Sequence, residues 1–155
     1  MARCRAAAAL HRATRQHEDV AVARPVDLET AVDVLGGKIE FETGEEGRER
    51  AILEHLLRTA VADTARAHLR GLDARALADA LHEGATVMTG EQVRAADVLA
   101  AMPVLGESDL YDQVAERLDA HTPGERAGAL ELLLESLYLD KRIGKDSAGG
   151  ETVYG

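Results

Sequence analysis

The sequence is poor in the residues that build most β-rich folds and base-stacking surfaces. It has no tryptophan, one phenylalanine, three tyrosines and a single cysteine in 155 residues. The lone Cys4 excludes an internal disulfide framework. With aromatic residues at only 3%, the core must be built from alanine, leucine and valine, which favours closely packed helices over a β-rich fold.

Basic residues are also in deficit, and this excludes a second class of function. There are 28 acidic residues against 18 basic ones, a net charge of −10. Phosphate binding needs clustered positive charge and base binding needs stacking groups, so we expect no nucleic-acid partner. The apolar run at residues 6–10 is too short for a signal peptide, and no run approaches the ~18 residues of a membrane span. We therefore expect a cytoplasmic protein without a membrane partner.

Motifs for catalysis, cofactor binding and metal binding are missing. The run Gly36-Gly37-Lys38 lacks the first glycine and the hydroxyl residue of a phosphate-binding loop. The six histidines form no His-x-x-x-His or Glu-x-x-His pattern. Ser108 has no nucleophile context and is better explained as a helix cap. The sequence predicts no catalytic residue, no cofactor and no metal ion in this chain.

Helical periodicity and capping signals predict an all-α fold, a bundle of about five to seven helices with one or two short extended segments. The predicted helices cover residues 2–17, 27–36 with Asp27 as N-cap, 46–70, 73–83, 91–101 with a Thr89/Gln92 capping box, 108–121 and 122–143 with a Thr122/Glu125 capping box and Pro123 at N1. The extended segments are residues 38–42 and 86–89.

Three regions differ in composition. Residues 1–24 form an Ala/Arg-rich helix and linker, residues 25–144 a helical domain, and residues 145–155 a Gly-rich tail that we expect to be flexible. In the last predicted helix, Leu132 and Leu139 lie off the main leucine stripe. They indicate a second buried side, which places this helix either in the middle of the bundle, the arrangement we favour, or against another chain.

The densest polar segment, residues 38–50, has two interpretations. It is either a solvated turn followed by the acidic first turn of a long helix, or a docking surface for a basic partner or a neighbouring subunit. In the second interpretation, the contact residues are Glu42, Glu45, Glu46, Arg48 and Glu49, and the first three face arginines of the partner.

Two stretches carry a resemblance to a known family. Residues 28–72, with the string GGKIEFETGEEGRERAILEHLLRTAVADTARAHLRGLD, and the closing ESLYLDKRIGKD and TVYG resemble the C-terminal part of bacterial magnesium-chelatase-type AAA+ ATPases. The branch is the one described as sigma-54-interacting or magnesium chelatase ATPase subunit-like. The resemblance covers nearly the whole chain from about residue 9 onward.

This resemblance implies a non-catalytic fragment of an ATP-driven complex. In the family, the nucleotide loop, the Walker B acids and the arginine finger lie in an α/β core that precedes this region, so ATP and magnesium belong to that core. None of these motifs carries over to a residue here. By the family's spacing, a lid arginine that senses nucleotide would fall upstream of residue 1, so Arg3, Arg5 and Arg12 are not assigned that role. Residues 1–24 would be a remnant of the helical lid, and the reading frame would begin inside a longer gene. The implied partners are the AAA+ core, neighbouring ring subunits and a partner subunit of a chelatase-like complex.

Two other functions remain open from the residues themselves. The chain is alternatively an autonomous acidic helical adaptor that binds a basic protein. A third function, a small metal- or thiol-dependent enzyme, would require Cys4 or a histidine pair.

Overall fold

The computed structural model describes residues 2–40, 47–103 and 109–155. Within these ranges the chain forms seven α-helices and a three-stranded antiparallel sheet. The elements are α1 (Ala2–Gln16), a 3-10 helix (Pro25–Leu28), α2 (Glu29–Gly36), α3 (Glu49–Leu69), α4 (Arg75–His82), β1 (Val87–Gly90), α5 (Ala95–Ala101), α6 (Leu110–Arg117), α7 (Pro123–Leu139), β2 (Lys145–Ala148) and β3 (Glu151–Tyr154). The mainly helical prediction is confirmed, whereas the all-α class is corrected by the sheet.

Helix α7 is the centre of the fold. It begins with the predicted capping box, in which the Thr122 hydroxyl accepts from the Glu125 backbone and the Glu125 carboxylate accepts from the Thr122 backbone. It packs against α3, α5 and α6. Its Ala127 joins a small cluster with α5, while its buried leucines join the main core. The prediction that this helix lies inside the bundle is therefore confirmed.

The longest helix, α3, is covered less than its sequence predicts. Leu53, Ala65 and Leu69 are buried, but Leu57 and Val61 are only partly covered and Leu56 is 57% exposed. Only part of the apolar stripe that predicts this helix packs into the main core. The partly covered side chains of Leu57 and Val61 line one wall of a cleft.

Residues 145–155 form a β-hairpin, which corrects the expected flexible tail. Gly149 and Gly150 both have positive φ, at 63° and 84°, as a two-residue turn between right-handed twisted strands requires. Strand β3 also pairs with β1, which gives the order β1-β3-β2, and Tyr154 is buried in the core. The extended segment predicted near residue 87 is confirmed, and its partner is the C-terminal hairpin.

Three capping predictions have other outcomes. Thr89 lies buried in β1, and α5 begins only at Ala95, so the Thr89/Gln92 box is not a helix cap. Asp27 lies in the 3-10 helix and binds arginines instead of capping α2. Ser108 lies outside the described residues, as do 41 and 42 of the predicted extended segment 38–42.

Gly90 is the position at which the sheet tolerates no side chain. Its φ is +137°, and an added Cβ would lie 2.4 Å from the Gly150 carbonyl oxygen. We expect Gly90→Ala to lower the free energy of unfolding by about 2–3 kcal/mol, because the backbone conformation and the contact are both strained. Urea unfolding followed by circular dichroism measures this. Gly37→Ala, with no atom within 4 Å of the added Cβ, is the control; equal effects of the two changes would contradict the prediction.

The α7 cap makes stability depend on pH. Backbone N–H groups of Thr122 and His121 donate to Glu125 at 2.8 and 3.0 Å and hold the pKa of its carboxyl below the usual 4.5. Because the folded pKa is the lower one, this stabilisation is complete above the unfolded value and is lost as the pH falls through the folded value.

Glu125→Gln keeps the capping acceptor but removes the titration. From about pH 5 to about pH 3, its free energy of unfolding should therefore fall less than that of the wild type. Urea titrations at each pH measure the difference, with the exposed Glu83→Gln as control. Parallel curves for Glu125→Gln and the wild type would refute this role for the cap.

Candidate functional site

The predicted contact residues lie at and before the start of α3. Glu42, Glu45 and Glu46 fall outside the described residues. Arg48 is exposed at the N-cap position without a side-chain cap bond, and Glu49 is partly exposed in the first turn. Within the described ranges, the structure therefore places two of the five residues at one helix end.

Arg50, in the first turn of α3, forms ion pairs with α2 and within α3. Its guanidinium pairs with Asp33 of α2 at 2.5 Å and with Glu54 one turn further along α3 at 2.9 Å. Hydrogen bonds and charge from Asp33 and Glu54 raise the pKa of Arg50. Because all three side chains are well exposed, these pairs contribute little to stability but orient the arginine.

A buried ionic network lies between the N-terminal segment and the helical body. Arg24 is completely buried and binds the Glu131 carboxylate of α7 through Nε, at 3.1 Å, and through Nη2. Its Nη1 donates to the Val93 carbonyl at 2.8 Å, and its backbone N–H donates to Asp27 at 2.8 Å. Through its side chain and its backbone N–H, Arg24 thus joins the 3-10 segment, the residues just before α5 and the middle of α7.

Arg12 of α1 completes this network. It donates to both Asp27 oxygens at 3.1 and 3.2 Å, to Glu18 at 2.8 Å and to the Val22 carbonyl at 2.6 Å. Glu18 in turn accepts from the backbone N–H of Ala95 at 2.7 Å and so satisfies the first turn of α5. Two arginines and three carboxylates therefore fix α1 and the linker onto α5 and α7.

The environment shifts the pKa values within the network. Burial raises the pKa of Glu131 even though Arg24 opposes this shift. Burial by itself lowers the pKa of Arg12, but the hydrogen bonds and charges of Asp27 and Glu18 outweigh it, and the net shift is upward. Opening the network would leave buried charges unpaired, which is costly in a low-dielectric interior.

One glycine of α7, Gly124, is required for the close approach of the linker, whereas a side chain at Gly128 would make ordinary van der Waals contact. A Cβ at Gly124 would lie 2.8 Å from Val22 Cγ2, and one at Gly128 would lie 3.5 Å from Arg24 Cγ. This network was not predicted from the sequence. The signals for it were Gly124 inside a predicted helix and Glu131, one of two glutamates in the leucine-rich run at residues 130–139.

A second site is a cleft of about 490 Å³ between α3, the 3-10 and α2 segment, and the inner face of the sheet. This volume lies within the usual range for ligand-binding clefts. One wall is apolar and combines Leu28 and Val32 with Leu57 and Val61 of α3. The opposite wall carries the hydroxyl groups of Thr89, Ser147 and Thr152, which share one cross-strand row. The cleft is therefore amphipathic.

A polar cluster closes one end of the cleft. Lys145 Nζ lies 2.8 Å from Glu135, and the Tyr154 hydroxyl donates to the same carboxylate at 2.6 Å. Nζ also lies 5.5 and 5.6 Å from the ring centroids of Tyr138 and Tyr154, a cation–π arrangement. This geometry satisfies the lysine charge. The cluster was not predicted from the sequence, because the proximity of its residues depends on the hairpin.

The described part of the chain shows neither a group of metal ligands nor a membrane-spanning helix. Among these residues, no group of three or more histidine, cysteine, aspartate or glutamate side chains is placed to hold a metal ion. None of the described helices is long and apolar enough to cross a membrane. Comparisons of the chain with protein families, with curated proteins and with solved structures find no match.

The Arg24–Glu131 pair gives a direct test of the buried network. We expect Arg24→Met to lower the free energy of unfolding by about 3–5 kcal/mol, because Glu131 is left as an unpaired buried acid. Adding Glu131→Leu should restore part of this loss, so that the double variant is more stable than the sum of the single variants predicts.

Chemical unfolding of the four proteins measures this coupling. Arg75→Met, which breaks an exposed pair with Asp73, is the control and should lower the free energy of unfolding far less than Arg24→Met does. Additive effects of the Arg24 and Glu131 changes would show that the pair is not an energetic unit.

Proposed function

We propose that the chain is a non-catalytic contact module of a magnesium-chelatase-type AAA+ ATPase. In this role it serves as the C-terminal lid and extension, and it contacts the ATPase core, a neighbouring ring subunit or a partner subunit in the cytoplasm. The sequence resemblance supplies the class of protein. ATP and magnesium act in a core outside this chain.

The observation that carries the proposal is the buried network between α1 and the helical body. In this class of ATPase, α1 would continue the lid, the part that moves when the nucleotide changes. Arg12 and Arg24 attach this helix and its linker to α5 and α7 through Asp27, Glu18 and Glu131. When the lid rotates, α5 and α7 would therefore move with α1 as one rigid body, which we call the lever.

Residues 38–50 are the proposed contact surface. Arg48 is exposed at the start of α3, Glu49 is partly exposed there, and Glu42, Glu45 and Glu46 precede them in the sequence. Carboxylates that meet arginines of a core or neighbouring subunit would give charge-assisted hydrogen bonds and a salt-dependent association.

The test is size-exclusion chromatography with light scattering on the chain, alone and with a separately expressed chelatase-type ATPase core from the same source. We expect a defined complex with the core and no ATP hydrolysis by the chain alone. Changing Glu42, Glu45 and Glu46 together to glutamine should weaken the complex by about tenfold or more, because three charged contacts are lost.

A matched control changes three exposed glutamates elsewhere, Glu83, Glu116 and Glu151, to glutamine. This control should bind the core like the wild type. A chain that remains a monomer or dimer and ignores the core would contradict the proposal and favour an autonomous adaptor. If both triple variants weakened the complex with the core equally, the effect would come from net charge alone. The assignment of residues 38–50 as the contact surface would then be wrong.

A further inference from the structure

Strand β2 has one edge paired with β3, and among residues 2–40, 47–103 and 109–155 no strand pairs with its other edge. The two-residue turn makes Ala148 and Glu151 a hydrogen-bonded pair, so Asp146 with Val153 is the next such pair. By the same alternation, the backbone N–H and C=O groups of Lys145 and Ser147 point away from β3. Within the described residues, no hydrogen bond reaches these outward groups.

The same two residues line the cleft with their side chains. Lys145 continues the cross-strand row of Val87 and Tyr154, and Ser147 continues the row of Thr89 and Thr152. A strand added beside β2 would extend both rows, because side chains opposite each other in a sheet share a face. Two alternate side chains of such a strand would therefore enter the cleft.

The opposite wall of the cleft determines which side chains fit. Leu57 and Val61 of α3 are partly covered and offer an apolar contact. Arg58 is exposed beside them, and among the described residues no carboxylate lies within ion-pair distance of it. Glu54 also lines the cleft, but its carboxylate pairs with Arg50. Arg58 therefore favours an acidic side chain, and Leu57 with Val61 favours an apolar one.

We propose that the outer edge of β2 is a docking site for an extended segment of a partner protein. The segment adds a fourth strand to the sheet and places two alternate side chains, one apolar and one acidic, in the cleft. The apolar side chain packs against Leu57 and Val61, and the acidic side chain pairs with Arg58. Backbone hydrogen bonds supply affinity and the cleft supplies specificity, as in other β-strand additions.

A second copy of this chain fits the edge poorly. If β2 of another copy paired with the same backbone groups, its inward side chains would be Lys145 and Ser147. A lysine would then face Arg58, and in the register centred on Asp146 two aspartates would lie opposite each other; both arrangements are repulsive. The occupant is therefore a different sequence. This site rests on the sheet edge and the cleft, and it stands independently of the ATPase assignment.

The test uses two capped peptides, Lys-Glu-Thr-Val-Thr and Lys-Val-Thr-Glu-Thr, which present the acid and the valine in the two possible orders. Titration into the isotope-labelled chain, followed by NMR and amide hydrogen exchange, reports binding. We expect at least one peptide to shift the resonances of β2 and to slow exchange at the amides of Lys145 and Ser147. The same peptide with its glutamate replaced by lysine should bind about tenfold more weakly or worse.

Variants of the chain separate the backbone contact from the charge contact. Ser147→Pro removes one outward N–H while leaving the β2–β3 hydrogen bonds in place, and it should abolish binding. Ser147→Ala keeps this N–H and should therefore retain binding, although it removes one hydroxyl from the cleft wall. Arg58→Glu should weaken binding of the acidic peptide about tenfold or more, whereas Arg66→Glu, exposed on the same helix but outside the cleft, should not.

If Ser147→Pro fails to fold, the backbone contact can be tested from the peptide side. For this, the peptides are methylated at the alternate backbone nitrogens that would face β2. They retain their side chains but do not donate to a neighbouring strand, so we expect no binding. The proposal is overturned if neither parent peptide slows exchange at Lys145 and Ser147 at millimolar concentration. It is also overturned if binding survives methylation of the peptide, or if Arg58→Glu and Arg66→Glu have equal effects.

Discussion

The salt bridge between Arg24 and Glu131 is the interaction on which the arrangement of the chain depends. It brings a linker residue to the middle of the central helix, 107 positions away in the sequence. Around it, Asp27, Arg12 and Glu18 each satisfy a charge that would otherwise be buried without a partner. An apolar contact of the same area would permit sliding, whereas these directional bonds fix one position of α1 relative to α7.

The two sites are joined by helix α7. Glu131 faces the buried network, and Glu135, one turn later, holds Lys145 and Tyr154 at the end of the cleft. Helix α7, which is part of the proposed lever, is therefore also the helix that positions the hairpin. The proposed strand-docking edge on β2 is attached to it through the contacts of Glu135 with Lys145 and Tyr154.

Local signals predicted the helices well and the long-range contacts poorly. The start of α7 was predictable because Thr122, Pro123 and Glu125 act within one turn of each other. The pairing of β1 with β3 was not, because it joins residues 87–90 to 151–154 and nothing near either segment specifies the other. The β2–β3 hairpin did have a local signal, the Gly149-Gly150 pair, which is typical of a two-residue turn. Thr89 illustrates the ambiguity: its hydroxyl suits a helix cap as well as a strand, and only the distant hairpin decides between them. The buried network was hidden for the same reason, since charged residues ordinarily indicate solvent.

The strand order has a consequence for synthesis. The central strand β3 is the last of the three to leave the ribosome, so β1 and β2 emerge without their shared neighbour. Only a two-residue turn separates β2 from β3 in the sequence, whereas α5, α6 and α7 are synthesised between β1 and β3. The helices can collapse during translation, whereas the sheet closes as a late step, and a chain stalled before residue 151 exposes an unpaired β1 to chaperones and proteases.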